Sequence, residues 1–198
     1  MKRLRPSHPS ASVALPRALR LIARRLGVRA PRFLLLVDIR TQRMELARLA
    51  HGLDRTHAPR AQSFRISTSR FGIGQVAHSN RTPLGLHRIA RKIGGGLPWG
   101  AVFKSRKLIG YTWEGLANAA IVHRILWLEG LQPGFNRGGN VDTFQRYVYI
   151  HGTGDETTLG RPASHGCVHV RGTELLPLYD LLPPGTLVWI SRDLGAEG

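Results

Sequence analysis

One cysteine, Cys167, closes the run Ser164-His165-Gly166-Cys167, and His169 and Arg171 follow at alternate positions. Earlier in the chain stands His151-Gly152-Thr153. A thiol attacks only as the thiolate, and a neighbouring imidazole favours that form, so histidines around a lone cysteine point to nucleophilic chemistry. Gly152 and Gly166 permit close approach of backbone to a substrate, and a turn there can aim amide N–H groups at an oxyanion. Together these residue types fit acyl transfer through a thioester. They also fit two other readings. Cys167 would pass as a small buried apolar residue. Alternatively His165, Cys167 and His169, alternating along one strand face, would bind a metal with His151 as fourth ligand. Alternate positions on one extended strand converge poorly as ligands, yet residue types alone leave metal binding and acyl transfer open.

The elements that must carry these residues are mainly β. Phe33 to Ile39 is a compact apolar strand, and Arg43 to Leu49 alternates as its antiparallel partner. Ser63 to Ser69, Leu86 to Ile93, Ile121 to Leu128, Arg146 to Ile150 and Leu187 to Ile190 read as further strands. Gly94 to Gly100 and Gly130 to Asn140 read as loops. Leu175, Leu178, Tyr179 and Leu182 repeat at helical spacing until Pro183-Pro184-Gly185 stops the helix. The pattern predicts an α+β, mainly β domain over residues 32–191, a tail over 192–198 and a basic leader over 1–31.

Composition narrows the class. The chain has 198 residues, 42% of them hydrophobic, and a net charge of +17 from 29 basic and 12 acidic side chains. It can bury a core, and no apolar run approaches the ~18 residues of a spanning helix. One cysteine excludes an internal disulfide and a four-cysteine zinc module. Residues 1–32 hold Lys2, Arg3, Arg5, Arg17, Arg20, Arg24, Arg25, Arg29 and Arg32 and no acid. Residues 1–14 read as a flexible start. Leu15, Leu19, Ile22 and Leu26 then share one face of a basic amphipathic helix ended by Gly27, suited to an anionic membrane or wall surface or to packing on the domain. Arginines break every stretch where a signal peptide would need its apolar core, so no clear signal peptide is read.

Ser164-His165-Gly166-Cys167, preceded by His151-Gly152-Thr153, resembles the signature of the L,D-transpeptidase catalytic domain, the YkuD-like family of bacterial cell-wall enzymes. The resemblance spans roughly residues 32–190. It includes the hairpin from Phe33 to Leu49, the element Thr82-Pro83-Leu84-Gly85-Leu86-His87-Arg88-Ile89, the late helix, and Gly185-Thr186-Leu187-Val188. It implies a β-sandwich or barrel with a late short helix and no metal or cofactor. Cys167 is then the nucleophile, His151 the general base and acid, and the Gly152 carbonyl orients that imidazole. His165 and Gly166 shape the turn, backbone N–H groups near Gly166 and Cys167 are the oxyanion donors, and Ser164 holds the geometry. The implied substrate is a peptidoglycan stem peptide in the cell envelope. It is attacked at the carbonyl of its third residue, a diamino acid, with loss of D-alanine and transfer to an amine (a 3→3 cross-link or anchoring) or to water.

The chain departs from the family at His169, where Arg or sometimes Asn is usual; His169 or Arg171 is expected to supply that contact to substrate. Two rival functions are an L,D-carboxypeptidase or peptidase on the same scaffold, and a non-catalytic basic protein binding wall or, less readily, nucleic acid. Weaker expectations make Gly94 to Gly100, with Trp99 at its tip, a lid, and let Asn136-Arg137-Gly138-Gly139 line the cleft. Tyr147, Tyr149, Trp113 and Trp127 read as core or cleft wall, and Asp155-Glu156 as solvated. His78, His87 and His123 show no evident partners. Gly72-Ile73-Gly74 lacks the pattern of a dinucleotide site.

Overall fold

The structure is a computed structural model that describes residues 12–49 and 52–196. Strand β1 (Ser12–Ala14) leads into helix α1 (Arg17–Arg25), followed by β2 (Phe33–Asp38), β3 (Arg43–Arg48), β4 (His57–Ser67) and β5 (Gly85–Ile93). A hairpin of β6 (Ala101–Lys104) and β7 (Lys107–Tyr111) precedes β8 (Val122–Gly130), β9 (Tyr149–Gly152) and β10 (Val168–Val170). Helix α2 (Gly172–Leu181) and β11 (Leu187–Ser191) complete the fold. Pairing runs β5-β11-β2-β3-β4-β10-β9-β8, and β8 pairs back onto β5, so eight strands close a barrel. Closure leaves these strands no free edge. Two pairs are parallel, β2 with β11 and β9 with β10.

Alternation along the strands builds two cores from one sheet. Phe33, Leu35 and Val37 of β2 point into the barrel with Phe64, Leu126, Ile150, Val168 and Val170, while Leu34 and Leu36 face outward. That outer face is covered by Leu15, Leu19 and Ala23, which explains why all of β2 is buried. The described part of the basic leader therefore packs on the domain through its apolar stripe and turns Arg17, Arg24 and Arg25 to solvent. Ala23 takes the buried place expected of Leu26, which lies just beyond the last turn and is exposed. Gly27 turns the chain there at φ +61°. Ser12 to Ala14, expected within the flexible start, pair antiparallel with β4; residues 1–11 lie outside the described residues. Leu175, Leu178, Tyr179 and Leu182 add α2 and its end to the interior core. At its N-terminus the Gly172 N–H donates to Glu156 Oε1 at 2.7 Å, where the helix dipole favours a carboxylate.

Three segments differ from expectation. The β6–β7 hairpin falls where no strand is expected. Its turn residues Ser105 and Arg106 are both left-handed, φ +49° and +68°. That geometry usually announces itself by Asn or Gly, and here neither is present. The strand expected from Arg146 starts only at Tyr149, because Asp142 winds residues 142–147 into a turn. Its Oδ1 accepts from the Gln145 N–H and its carbonyl from the Arg146 N–H, both at 2.9 Å. Asn136, expected to line the cleft, is wholly buried. Its Nδ2 donates to the carbonyls of Leu84 (3.0 Å) and Leu86 (3.2 Å), and its Oδ1 accepts from the Gln132 N–H at 2.9 Å. Asn136 thus ties the loop after β8 to the start of β5. Asn136→Ala strands these buried partners and is expected to lower unfolding free energy by about 2–3 kcal/mol in urea titrations; a change within error would show that the loop is held otherwise.

Candidate active site

The parallel pairing of β9 with β10 sets Val168 beside Ile150 and His169 beside His151. Ile150, Val168 and Val170 point into the barrel, so Tyr149, His151 and His169 lie on its outer face. Cys167, one residue before β10, packs against an outer cluster of Ala101, Phe103, Ile125, Trp127 and Tyr149. The β6–β7 hairpin thus supplies the apolar cover over the thiol side of β9. His151 is 2% exposed, and its ring centroid is 4.7 Å from that of His169.

Hydrogen bonds fix the roles of the two ring nitrogens. His151 Nδ1 is 2.8 Å from the Gly152 carbonyl oxygen, which can only accept, so Nδ1 carries the proton and Nε2 the lone pair. At the sulfur, the Tyr149 N–H donates to Sγ at 3.4 Å and the thiol is 3.6 Å from the Tyr147 carbonyl. Tyr147 is left-handed, φ +57°, an uncommon conformation for a bulky residue and one that turns its carbonyl to the thiol.

The run before the cysteine is a closed turn. Ser164 Oγ donates to the Cys167 carbonyl at 2.6 Å and accepts from the Gly166 N–H at 3.2 Å. The Gly166 amide, expected as an oxyanion donor, is therefore used within the turn. Gly166 sits at φ +121°, and its carbonyl accepts from Thr82 Oγ1 at 3.1 Å. Thr82 in turn accepts from the Ser69 N–H at 3.0 Å. His165 is exposed, with Nε2 2.6 Å from the Arg70 guanidinium and its ring beside Phe71.

Burial sets the charge state. It pushes His151 down to about 4 and the Cys167 thiol up to about 11; the Tyr149 amide and the Arg146 charge only partly offset the latter. His169 is pushed down to about 3 by burial, then by the neighbouring His151 and His165. Shifts in these directions favour a thiol at Cys167 and neutral imidazoles at His151 and His169 near neutral pH over a thiolate–imidazolium pair. A base with a free Nε2 lone pair and a thiol at the diagonal position of the next strand can exchange one proton as bonds form.

A cavity of about 300 Å³ opens over Cys167, walled by His165 and Gly166, by Asp142, Arg146 and Tyr147, and by Ala77, His78 and Asn80. The segment over the thiol is thus 72–82. Gly94 to Gly100, expected as the lid, lies elsewhere: the Trp99 ring packs tilted against His123, centroids 4.1 Å apart, and the Gly100 N–H donates to His123 Nδ1 at 3.0 Å. Arg171 is absent from this wall; it ends the strand and pairs with Glu156 at 3.3 Å. Glu156, read as solvated, therefore has two partners. His169 stays with His151, and its Nδ1 is buried with no hydrogen-bond partner among the described residues. Among the described residues no three His, Cys, Asp or Glu side chains gather as metal ligands. Thr82, Ser69 and Arg146 serve the site without being singled out for it in the sequence, whereas Tyr147, read as core or cleft wall, lines the cavity. Tyr147 acts here through its backbone carbonyl, which leaves no side-chain signature, and Ser69 through its N–H to Thr82 and its hydroxyl to the Asn80 carbonyl at 2.5 Å.

Over residues 32–190 the sequence matches the family model YkuD, the L,D-transpeptidase catalytic domain. No curated protein matches. Among solved structures, Bd1075 of Bdellovibrio bacteriovorus is 13% identical at a TM-score of 0.52, over 91% of this chain and 52% of that one. An L,D-transpeptidase from Mycobacterium smegmatis is 13% identical at 0.49, over 81% and 58%. Another, from Xylanimonas cellulosilytica, is 18% identical at 0.43, over 86% and 68%. The chain spans just over half the length of the first two. At such identities the first likeness is one of fold, and the lower-scoring pair adds nothing to it.

The buried histidines make stability fall with acid. His87 is also wholly buried, held by the Gly85 carbonyl at 3.0 Å and Thr143 Oγ1 at 3.2 Å, and burial pushes it down to about 4 from an ordinary 6.5. Below about pH 6.5 the unfolded chain takes up protons that His87 and His151 refuse when folded, so stability drops until about pH 4. At about 1.4 kcal/mol per pH unit this costs about 3 kcal/mol for each histidine. Urea titrations between pH 7.5 and 4.5 should show the loss, with a shallower slope in His87→Gln. Equal stability across that range would contradict the buried neutral histidines.

Proposed function

The chain belongs to the L,D-transpeptidase catalytic-domain family, and from that premise we propose that it carries out cysteine-dependent acyl transfer on peptidoglycan stem peptides. One observation supports this most: His151 has its Nδ1–H spent on the Gly152 carbonyl, which leaves Nε2 as a base beside the strand that follows Cys167. In the proposed reaction Nε2 takes the thiol proton as sulfur attacks the carbonyl carbon of the stem's diamino-acid residue. The resulting imidazolium is held by the Gly152 carbonyl, in the place a carboxylate holds in a serine triad. It then gives its proton to the departing D-alanine nitrogen, leaving a thioester on Cys167. An amine of a second stem, or water, attacks that thioester. His151 takes the attacker's proton and returns it to the leaving sulfur.

Positioning in this scheme falls to Ser164 and Gly166, which close the turn, and to His165 on its outer side. His169 adds a second neutral imidazole beside the base, and Arg171 anchors the start of α2. No residue in the scheme calls for a metal or cofactor. Residues 32–191 form the proposed catalytic unit. The outward arginines of α1 suit an anionic wall or membrane surface in the envelope. No helix among the described residues is long and apolar enough to cross a membrane.

Incubating the purified chain with disaccharide-tetrapeptide muropeptides, followed by mass spectrometry, tests the proposal. Dimers identify transpeptidation and tripeptides identify hydrolysis, and either requires an acyl adduct on Cys167. Cys167→Ala should abolish adduct and product, and His151→Ala should slow adduct formation by about 1,000-fold, a general-base effect. Absence of both product and adduct, with muropeptides and with a carbapenem probe, would overturn the assignment.

A further inference from the structure

We propose that Arg146 is a positioning residue that latches segment 72–82 across the Cys167 cavity and presents an unneutralised positive charge to the sulfur. The segment is a closed loop, joined at its neck by the Gly74 N–H to the Thr82 carbonyl and the Thr82 N–H to the Gly72 carbonyl, both 3.1 Å. Its distal part carries His78 and Asn80, both left-handed at φ +63° and +56° without being glycine. Backbone held in such conformations persists only where surrounding contacts impose it. Ser69 Oγ holds the Asn80 carbonyl at 2.5 Å, and two further contacts reach the segment from across the cavity. The Ala77 N–H donates to the Asn140 carbonyl at 2.6 Å. Arg146 grips the segment at three points: Nη1 to the Gly74 carbonyl at 3.2 Å, and Nη2 to the Arg81 carbonyl at 2.7 Å and to Ser79 Oγ at 3.5 Å. Only a planar, forked donor spans acceptors so placed.

The charge has a second consequence. Arg146 is half-buried in the same cavity wall as Cys167. Among the described residues its guanidinium meets carbonyl and hydroxyl oxygens and pairs with no carboxylate. Asp142, the acid in that wall, spends its oxygens on the N–H groups of Gly138 (2.8 Å) and Gln145 (2.9 Å). Cys167 shares its cavity wall with Asp142, Tyr147, His165 and His78, and its face of the sheet with Tyr149 and His151 from β9 and His169 from β10. Burial leaves His151 and His169 neutral. Arg146 is then the cation that opposes the upward push of burial on the thiol. One side chain thus joins closure of the segment to ionisation of the sulfur.

The inference rests on Cys167 being the reactive thiol, but its test needs no turnover. Iodoacetamide alkylation of Cys167 against pH reads the charge, and hydrogen–deuterium exchange of residues 72–82 reads the latch. Arg146→Gln should move the alkylation midpoint up by about one pH unit, a tenfold slower reaction near neutrality. Arg146→Lys keeps the charge and should hold the midpoint. Neither variant reaches Gly74 and Arg81 together, so exchange over 72–82 should quicken at least tenfold in both. An unmoved midpoint in Arg146→Gln overturns the proposal, and so does wild-type protection of the segment in Arg146→Lys, which stands alone if the Gln variant does not fold. A chain that shows these shifts yet forms no acyl adduct would contradict the stem-peptide reading and leave the latch intact.

Discussion

The parallel pairing of β9 with β10 is the constraint on which the site depends. Register sets His169 beside His151, and the two-residue period of a strand places Cys167 diagonally from His151 on the same outer face. A one-residue slip of β10 would send the thiol and the His169 imidazole into the barrel and expose Val168 and Val170, at heavy cost in buried apolar surface. Barrel closure thereby enforces the placement of the polar residues through the apolar ones. Parallel strands cannot be joined by a tight turn, and the crossover from Gly152 to Val168 is the stretch that holds Glu156 and Ser164. The connection required by topology supplies both the turn before the cysteine and the carboxylate that caps α2.

An outward-facing site would ordinarily be wet. Here the β6–β7 hairpin, Trp127 and the turn at Asp142 cover it, and the resulting desolvation keeps thiol and imidazole uncharged. An uncharged pair costs less to bury than an ion pair, so fold and site make compatible demands. In the proposed reaction charge develops only as sulfur attacks, with the Gly152 carbonyl set to stabilise an imidazolium and Arg146 in the same cavity wall as the sulfur. Thr82 links the two halves of the site, since its hydroxyl ties the segment over the cavity to the Gly166 carbonyl next to Cys167.

Much of this was legible in the sequence because strong local signals coincide with the fold. The β2–β3 hairpin, β5, β8, β11 and α2 follow their periodicity to within a few residues. His151, Gly152 and the turn from Ser164 to Cys167 carry residue types whose chemistry shows directly. What escaped lacks local signal. The β6–β7 turn uses Ser105 and Arg106 where Asn or Gly would advertise it, and β10 is only three residues long. Arg171 reads as poised for substrate only if strand alternation continues past Val170, where the chain turns into α2. Gly94 to Gly100 looked like a lid because composition marks a loop without saying which face it covers. Arg146, with no acidic partner among the described residues and with contacts to distant carbonyls, has no sequence pattern to betray it.

The decisive measurement is the ultraviolet absorbance of the thiolate as a difference between the chain and Cys167→Ala, followed without substrate from about pH 5 to beyond pH 10. A neutral resting pair predicts no thiolate band near neutrality and a rise only on approach to about 11. A thiolate band already present at pH 7, lost on acidification, would contradict it and show a preformed ion pair in its place.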